Sequence, residues 1–133
     1  MAPPDVPAAL ARLCSAARTV VQALQPGAAL VPFSRTTPKA GGLLLLEAGV
    51  LSADTVVVSP PFVAEELPAG EVALATYRGR HAGIPVARAE LLAWIRAQER
   101  TAAGPGHLEY VAQPDGSIDA ATCECRIVVP LAA

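Results

Sequence analysis

EVALATYRGRHAGIPVARAELLAWIRAQER, residues 71–100, is the stretch on which the fold turns. Over Glu71–Arg78 the residues alternate, with Val72, Leu74 and Thr76 on one side and Ala73, Ala75 and Tyr77 on the other, which is the period of a strand. From Ile84 the period lengthens. Ile84, Ala87, Leu91, Ile95 and Gln98 recur at three- and four-residue spacing, and Leu92 and Trp94 lie beside them. Arg88, Glu90, Arg96, Glu99 and Arg100 take the wet side, so residues 84–100 read as a helix with one core-facing stripe. Trp94 is expected to join that core.

Downstream, Gly104-Pro105-Gly106 stops the helix. Two strands are expected next, His107–Gln113 and Ala121–Leu131. Pro114-Asp115-Gly116-Ser117 joins them, because proline presets φ and glycine accepts a positive φ in such a turn.

Upstream, Val6, Leu10, Leu13, Ala17, Val20, Val21 and Leu24 predict a helix over 5–24, with Asp5 near its N-cap and Pro26-Gly27 ending it. Two apolar runs follow, Ala28–Phe33 and Leu43–Leu51, and Thr36–Gly42 reads as the hairpin loop between them. Val56-Val57-Val58 has strand character but is cut off by Ser59-Pro60-Pro61. Helix, stop, short strand, loop and longer strand thus occur at 5–51 and again at 84–131. The expected fold class is α+β: two pseudo-symmetric strand-helix-strand-strand units forming an antiparallel sheet with two helices on one face. The first unit lacks an apolar run before its helix. Its unfilled sheet edge invites pairing with Val56–Val58 or with a second copy in a homodimer. The sheet face away from the helices, or the groove between the units, is left for a ligand.

Composition narrows the function. The chain has 133 residues, room for one domain, and 53% of them are apolar, enough for a core. Ten Lys and Arg against twelve Asp and Glu give a net charge of −2, which argues against a nucleic-acid binder built on clustered cations. The run Leu43–Leu46 is far too short to cross a bilayer, and the N-terminus has no basic signal region, so no membrane association is expected. Three cysteines do not make a disulfide framework, and a reduced, cytoplasmic location is expected. Cys123-x-Cys125 lacks the partners of a metal site, because Cys14, His81 and His107 are scattered. Its cysteines read as small buried hydrophobes. No nucleophile motif, phosphate loop or dinucleotide fingerprint is present, so no metal or cofactor is expected. Arg78, Arg80 and His81 read as a solvated loop.

Three stretches carry a family resemblance. They are Leu67-Pro68-Ala69-Gly70-Glu71-Val72-Ala73-Leu74-Ala75-Thr76-Tyr77-Arg78-Gly79, the helix Ile84–Gln98, and the closing pair Leu108-Glu109-Tyr110-Val111-Ala112-Gln113-Pro114 with Glu124-Cys125-Arg126-Ile127-Val128-Val129-Pro130-Leu131. In this order they resemble the GyrI-like small-molecule-binding family, the effector-binding domain of AraC- and MerR-type bacterial multidrug regulators. The resemblance is close over 67–131 and one of pattern over 5–51, where the family's opening strand is missing. It implies a stand-alone domain, spanning 1–133, that takes hydrophobic, cationic or planar ligands.

Glu109 is the leading site residue. Alternation sets Leu108 and Tyr110 on one face and Glu109 and Val111 on the other. With Leu108 under the helices, Glu109 faces the open groove, and the resemblance implies that a glutamate in this strand meets cationic aromatic ligands. Its other readings are a rim carboxylate in water and a pair with Arg126. Phe33, Phe62, Tyr77, Tyr110 and Trp94 are the flat surfaces available for stacking. Phe33 holds in the first half roughly the place of Val111 or Ala112 in the second, and Phe62 is a lid candidate. Glu47, after four leucines, is a second pocket acid. Glu124 and Arg126 share a strand face and read as parts of an exposed cross-strand salt bridge. The resemblance also implies two further functions: hydrolysis of cyclopropane-bearing natural products, with Glu109 as the base and Tyr77 or Tyr110 as donor, and interaction with DNA gyrase.

Overall fold

The computed structural model describes residues 6–53, 57–67, 69–104, 106–111 and 122–133. Asp5, the Pro114–Ser117 turn and Val56 lie outside them, while Val57 and Val58 carry no strand.

The first helix, α1 (Val6–Leu24), buries Leu10, Cys14 and Val21, and leaves Leu13 and Leu24 exposed. Its buried stripe is therefore turned toward Cys14 compared with the sequence reading. The alanine-rich helix is apolar over a wide arc, and the docking of Leu10 and Cys14 selects the phase. The Cys14 thiol points at the Phe33 carbonyl, 3.5 Å away, and burial pushes it above its ordinary pKa.

A hairpin follows, β1 (Val31–Pro38) and β2 (Leu44–Leu51), paired from Val31↔Leu51 to Pro38↔Leu44. β1 runs further into the expected loop than the apolar pattern suggests, whereas β2 nearly matches the expected run. A 3-10 turn, Ala40–Gly42, closes them, and the Lys39 N–H bonds the Leu43 carbonyl at 2.8 Å. Gly41 and Gly42 both take φ near +75°, which explains a Gly-Gly pair at this turn.

The second half is β3 (Val72–Arg80), a 3-10 turn His81–Gly83, α2 (Ile84–Ala97), β4 (His107–Tyr110) and β5 (Thr122–Pro130). The strands make one antiparallel five-stranded sheet in the order β2-β1-β4-β5-β3. The expected α+β class and antiparallel sheet are borne out. The order helix-strand-strand occurs twice, but among the described residues only the second occurrence is preceded by a strand.

Directly paired residues of an antiparallel sheet share a face. Register therefore puts Ser34, Leu46, Ala48, Ala73, Ala75, Tyr77, Leu108, Tyr110, Cys125, Ile127 and Val129 on one side. Leu10 of α1 and Ile84, Leu91 and Ile95 of α2 pack against that side in a single core. Burial of apolar area at roughly 25 cal/mol per Å² holds this layer together. Trp94 is a correction: it is 55% exposed, on the outward side of α2. Leu91 and Ile95 fill the core, and the helix's rotation carries position 94 away. No helix among the described residues is long and apolar enough to cross a membrane.

Two polar features lie on the helix side. The Ser34 and Tyr110 hydroxyls share a buried hydrogen bond of 2.6 Å that ties β1 to β4. Tyr77 donates to the Arg80 carbonyl at 2.7 Å and braces the turn into α2, where His81 Nε2 is buried without a partner.

Tyr110→Phe leaves the buried Ser34 hydroxyl without this partner. Urea unfolding should show a loss of about 1–2 kcal/mol. Burial also holds the His81 imidazole below its ordinary value of 6.5. The unfolded chain then binds the proton more readily, so His81 leaves stability intact above 6.5 and reduces it as the pH falls below that value. His81→Gln should lose less stability than the parent protein between neutral and mildly acidic pH, measured by denaturant midpoint.

Candidate functional site

The opposite sheet face carries the charge. Odd-numbered residues of β1, β2 and β4 and even-numbered residues of β3 and β5 point there, including Phe33, Arg35, Glu47, His107, Glu109, Glu124, Arg126 and Arg78. Leu74 and Val72 lie at the β3 end of this face and are exposed.

Glu109 lies near its middle. It stands opposite Phe33 on one side and Arg126 on the other. Its Oε1 accepts from Arg126 Nη2 at 3.0 Å, and its Oε2 lies 2.8 Å from His107 Nε2. The Glu109 side chain is 19% exposed and that of His107 14%, whereas Arg126 is 47% exposed. The carboxylate is thus withdrawn from bulk water beneath a half-exposed cation, and its pairing with Arg126 matches one of the readings open in the sequence. His107 is reached because it is two positions before Glu109 on the same strand face. Phe33 presents its ring to His107 edge-on, with centroids 6.3 Å apart and planes at 89°. Across the hairpin Phe33 pairs with Gly49, where a Cβ would come within 3.3 Å of the ring and 3.8 Å of the Ala17 side chain of α1. The missing side chain leaves that space to the phenyl.

A second cluster flanks the first. Glu47 receives two bonds from Arg35, Nε to Oε1 and Nη2 to Oε2, both 3.1 Å, and Arg35 Nη2 also reaches Glu65 at 2.9 Å. These carboxylates, Glu47 foremost, hold the Arg35 guanidinium charged well above its ordinary range. Glu47 thus shares the face of Glu109 but already has a bidentate cation. Glu65 anchors the segment 57–67 to this face. Within that segment Pro60–Pro61 is cis and the Phe62 N–H bonds the Ser59 carbonyl at 3.1 Å, with Phe62 half-buried. Neither the Arg35 tie nor the His107 contact was singled out from the sequence. Arg35 and Glu47 flank the hairpin loop symmetrically, a spacing that could have suggested the pair.

The other anticipated residues stand elsewhere. Tyr77 and Tyr110 are on the helix side, both hydroxyls engaged, so neither phenol is beside Glu109. Trp94 is on the outside of α2. Val111, just beyond β4, is exposed, and its N–H bonds the Glu124 carbonyl at 2.8 Å. Glu124 is in an exposed cross-strand pair as expected, but its partner is Arg78 at 2.9 Å, and Arg78 and Arg80 lie in β3 rather than in the solvated loop read from the sequence. Cys125 is fully buried in the core.

The site therefore combines one shielded carboxylate, a half-exposed cation paired with it and an aromatic pair beside it. Such a set can bind a group that offers a positive or hydrogen-bond-donating end and a flat apolar body.

The family model of the GyrI-like small molecule binding domain matches residues 3–132. No curated protein and no solved structure matches the chain. A match over nearly the full length, on a chain folded as two helices against an antiparallel sheet, places this protein in the GyrI-like family of small-molecule-binding domains.

Proposed function

We propose that the protein captures hydrophobic small molecules, cationic or planar, as multidrug effector-binding domains do, on the sheet face that carries Glu109. The observation that carries this reading is the Glu109 carboxylate, withdrawn from water yet covered on its outer side by the half-exposed Arg126. A ligand cation takes the place of the Arg126 guanidinium, exchanging one charge-assisted hydrogen bond for another, and its apolar body lies along Phe33. Arg126 then swings into solvent, where its charge is well hydrated. The segment 57–67, anchored through Glu65 to Arg35, supplies one wall, with Phe62 and Val111 as peripheral contacts. Glu47, already satisfied by Arg35, contributes shape and field rather than a free carboxylate.

The placement of both tyrosines on the far side of the sheet favours binding over turnover, because no phenol stands ready to protonate a leaving oxygen near Glu109.

Exchange at one carboxylate gives two variants of opposite sign. Glu109→Gln removes the anionic acceptor and should weaken binding of a lipophilic cationic dye about ten- to hundred-fold, the worth of a charge-assisted hydrogen bond. Arg126→Gln removes the competitor and should tighten it. Fluorescence titration of the folded variants measures both. Equal affinity in all three proteins, or tighter binding in Glu109→Gln, contradicts the proposal.

A further inference from the structure

The sheet has two edges among the described residues, β2 and β3, and they are built differently. In the second half, the outer side of β5 is covered along nine positions by β3, the strand that precedes α2. In the first half, β2 occupies the place of β5, yet among the described residues nothing pairs with its outer side. The β3 edge carries the cations Arg78 and Arg80, which discourage pairing. The β2 edge, LLLEAGVL, has no lysine, arginine or proline. Its one charge, Glu47, is neutralised within the chain by Arg35. Leu43 and Leu45 are exposed beside it.

We propose that β2 pairs antiparallel with β2 of a second copy of this chain about a two-fold axis, extending the sheet across both subunits. Geometry and charge pick the register. A two-fold axis perpendicular to the sheet keeps each face on its own side, so opposed residues must share a face. Centring on Glu47 would set two carboxylates directly opposite each other, which is unfavourable. Centring on Ala48 sets Ala48 against Ala48 of the partner subunit, Leu46 against Val50 of the partner subunit, and Leu45 against Leu51 of the partner subunit. Glu47 then meets Gly49 of the partner subunit, which offers space and no charge. On the helix side this joins Leu46 and Ala48, already packed on the core, to their equivalents and continues one apolar layer through the axis. On the other face it covers the exposed Leu45. The self-complementarity of the strand in this register, with the lack of any edge-protecting residue, is what selects a second copy as occupant.

Sedimentation velocity of the full chain over a range of concentrations, with amide hydrogen exchange on the same samples, tests the pairing. A dimer with every β2 amide protected is expected. Leu45→Lys, checked for folding by circular dichroism, should sediment as a monomer and lose protection at the outward β2 amides. Three results overturn the proposal. The first is a wild-type monomer at all concentrations, including one whose β2 edge is covered by its own chain. The second is a dimer whose outward β2 amides exchange freely. The third is a folded Leu45→Lys protein that remains dimeric. If the lysine variant fails to fold, exchange on the wild-type protein alone decides between the first two results and the proposal.

Discussion

The two halves of this chain meet in the sheet along a very short seam. β1 and β4 register through Phe33↔Glu109 and Ser34↔Leu108, and both the site and the core depend on that alignment. Below the sheet, the Ser34–Tyr110 hydrogen bond locks it. Above the sheet, the same register sets Phe33 against His107 and Glu109. A slip of one residue would turn Phe33 into the core and Ser34 out to the charged face. The buried hydroxyl pair therefore acts as a register pin: it is satisfied in one alignment and broken in its neighbours.

With that seam fixed, the charges on the open face follow from pairing. Arg35↔Glu47, Glu109↔Arg126 and Arg78↔Glu124 are each directly opposed across adjacent strands. Most of these side chains are partly solvated, and exposed pairs of this kind contribute little to stability. Their effect is local. They leave Glu109 as the least exposed carboxylate of the three, with a cation that solvent can compete for, while Glu47 is clamped in a fork.

Much of this was legible in the sequence. The alternation over 72–77 and 108–111 fixed the faces of β3 and β4, and so the side of Glu109, because a period of two has no other reading. The α2 stripe was legible from the helical spacing of Ile84, Leu91 and Ile95 with charged residues on the other side. α1 was not fully legible: its alanines make a wide apolar arc, so Leu13 and Cys14 compete for the buried position and tertiary contact decides. Trp94 lies beside the apolar stripe and so reads as core, whereas the helix phase set by Leu91 and Ile95 turns it outward. Tyr77 alternates as expected, but the braced turn at Arg80 depends on a hydroxyl contact that periodicity does not encode. The partners of Glu109 were legible only as a candidate arginine. His107 and the Arg35–Glu65 tie arise from strand register and from a loop without periodic structure, and neither leaves a local signal.

The proposed function requires that ligand be held on the charged sheet face around Glu109 rather than in the core between sheet and α2. Amide chemical-shift mapping during titration with a lipophilic aromatic cation tests it most directly. Shifts are expected to concentrate at Phe33, His107, Glu109 and Arg126 and to fade toward α2. Shifts concentrated on α2 around Trp94, or in the core beneath Leu91 and Ile95, with the β4 amides unmoved, would contradict it.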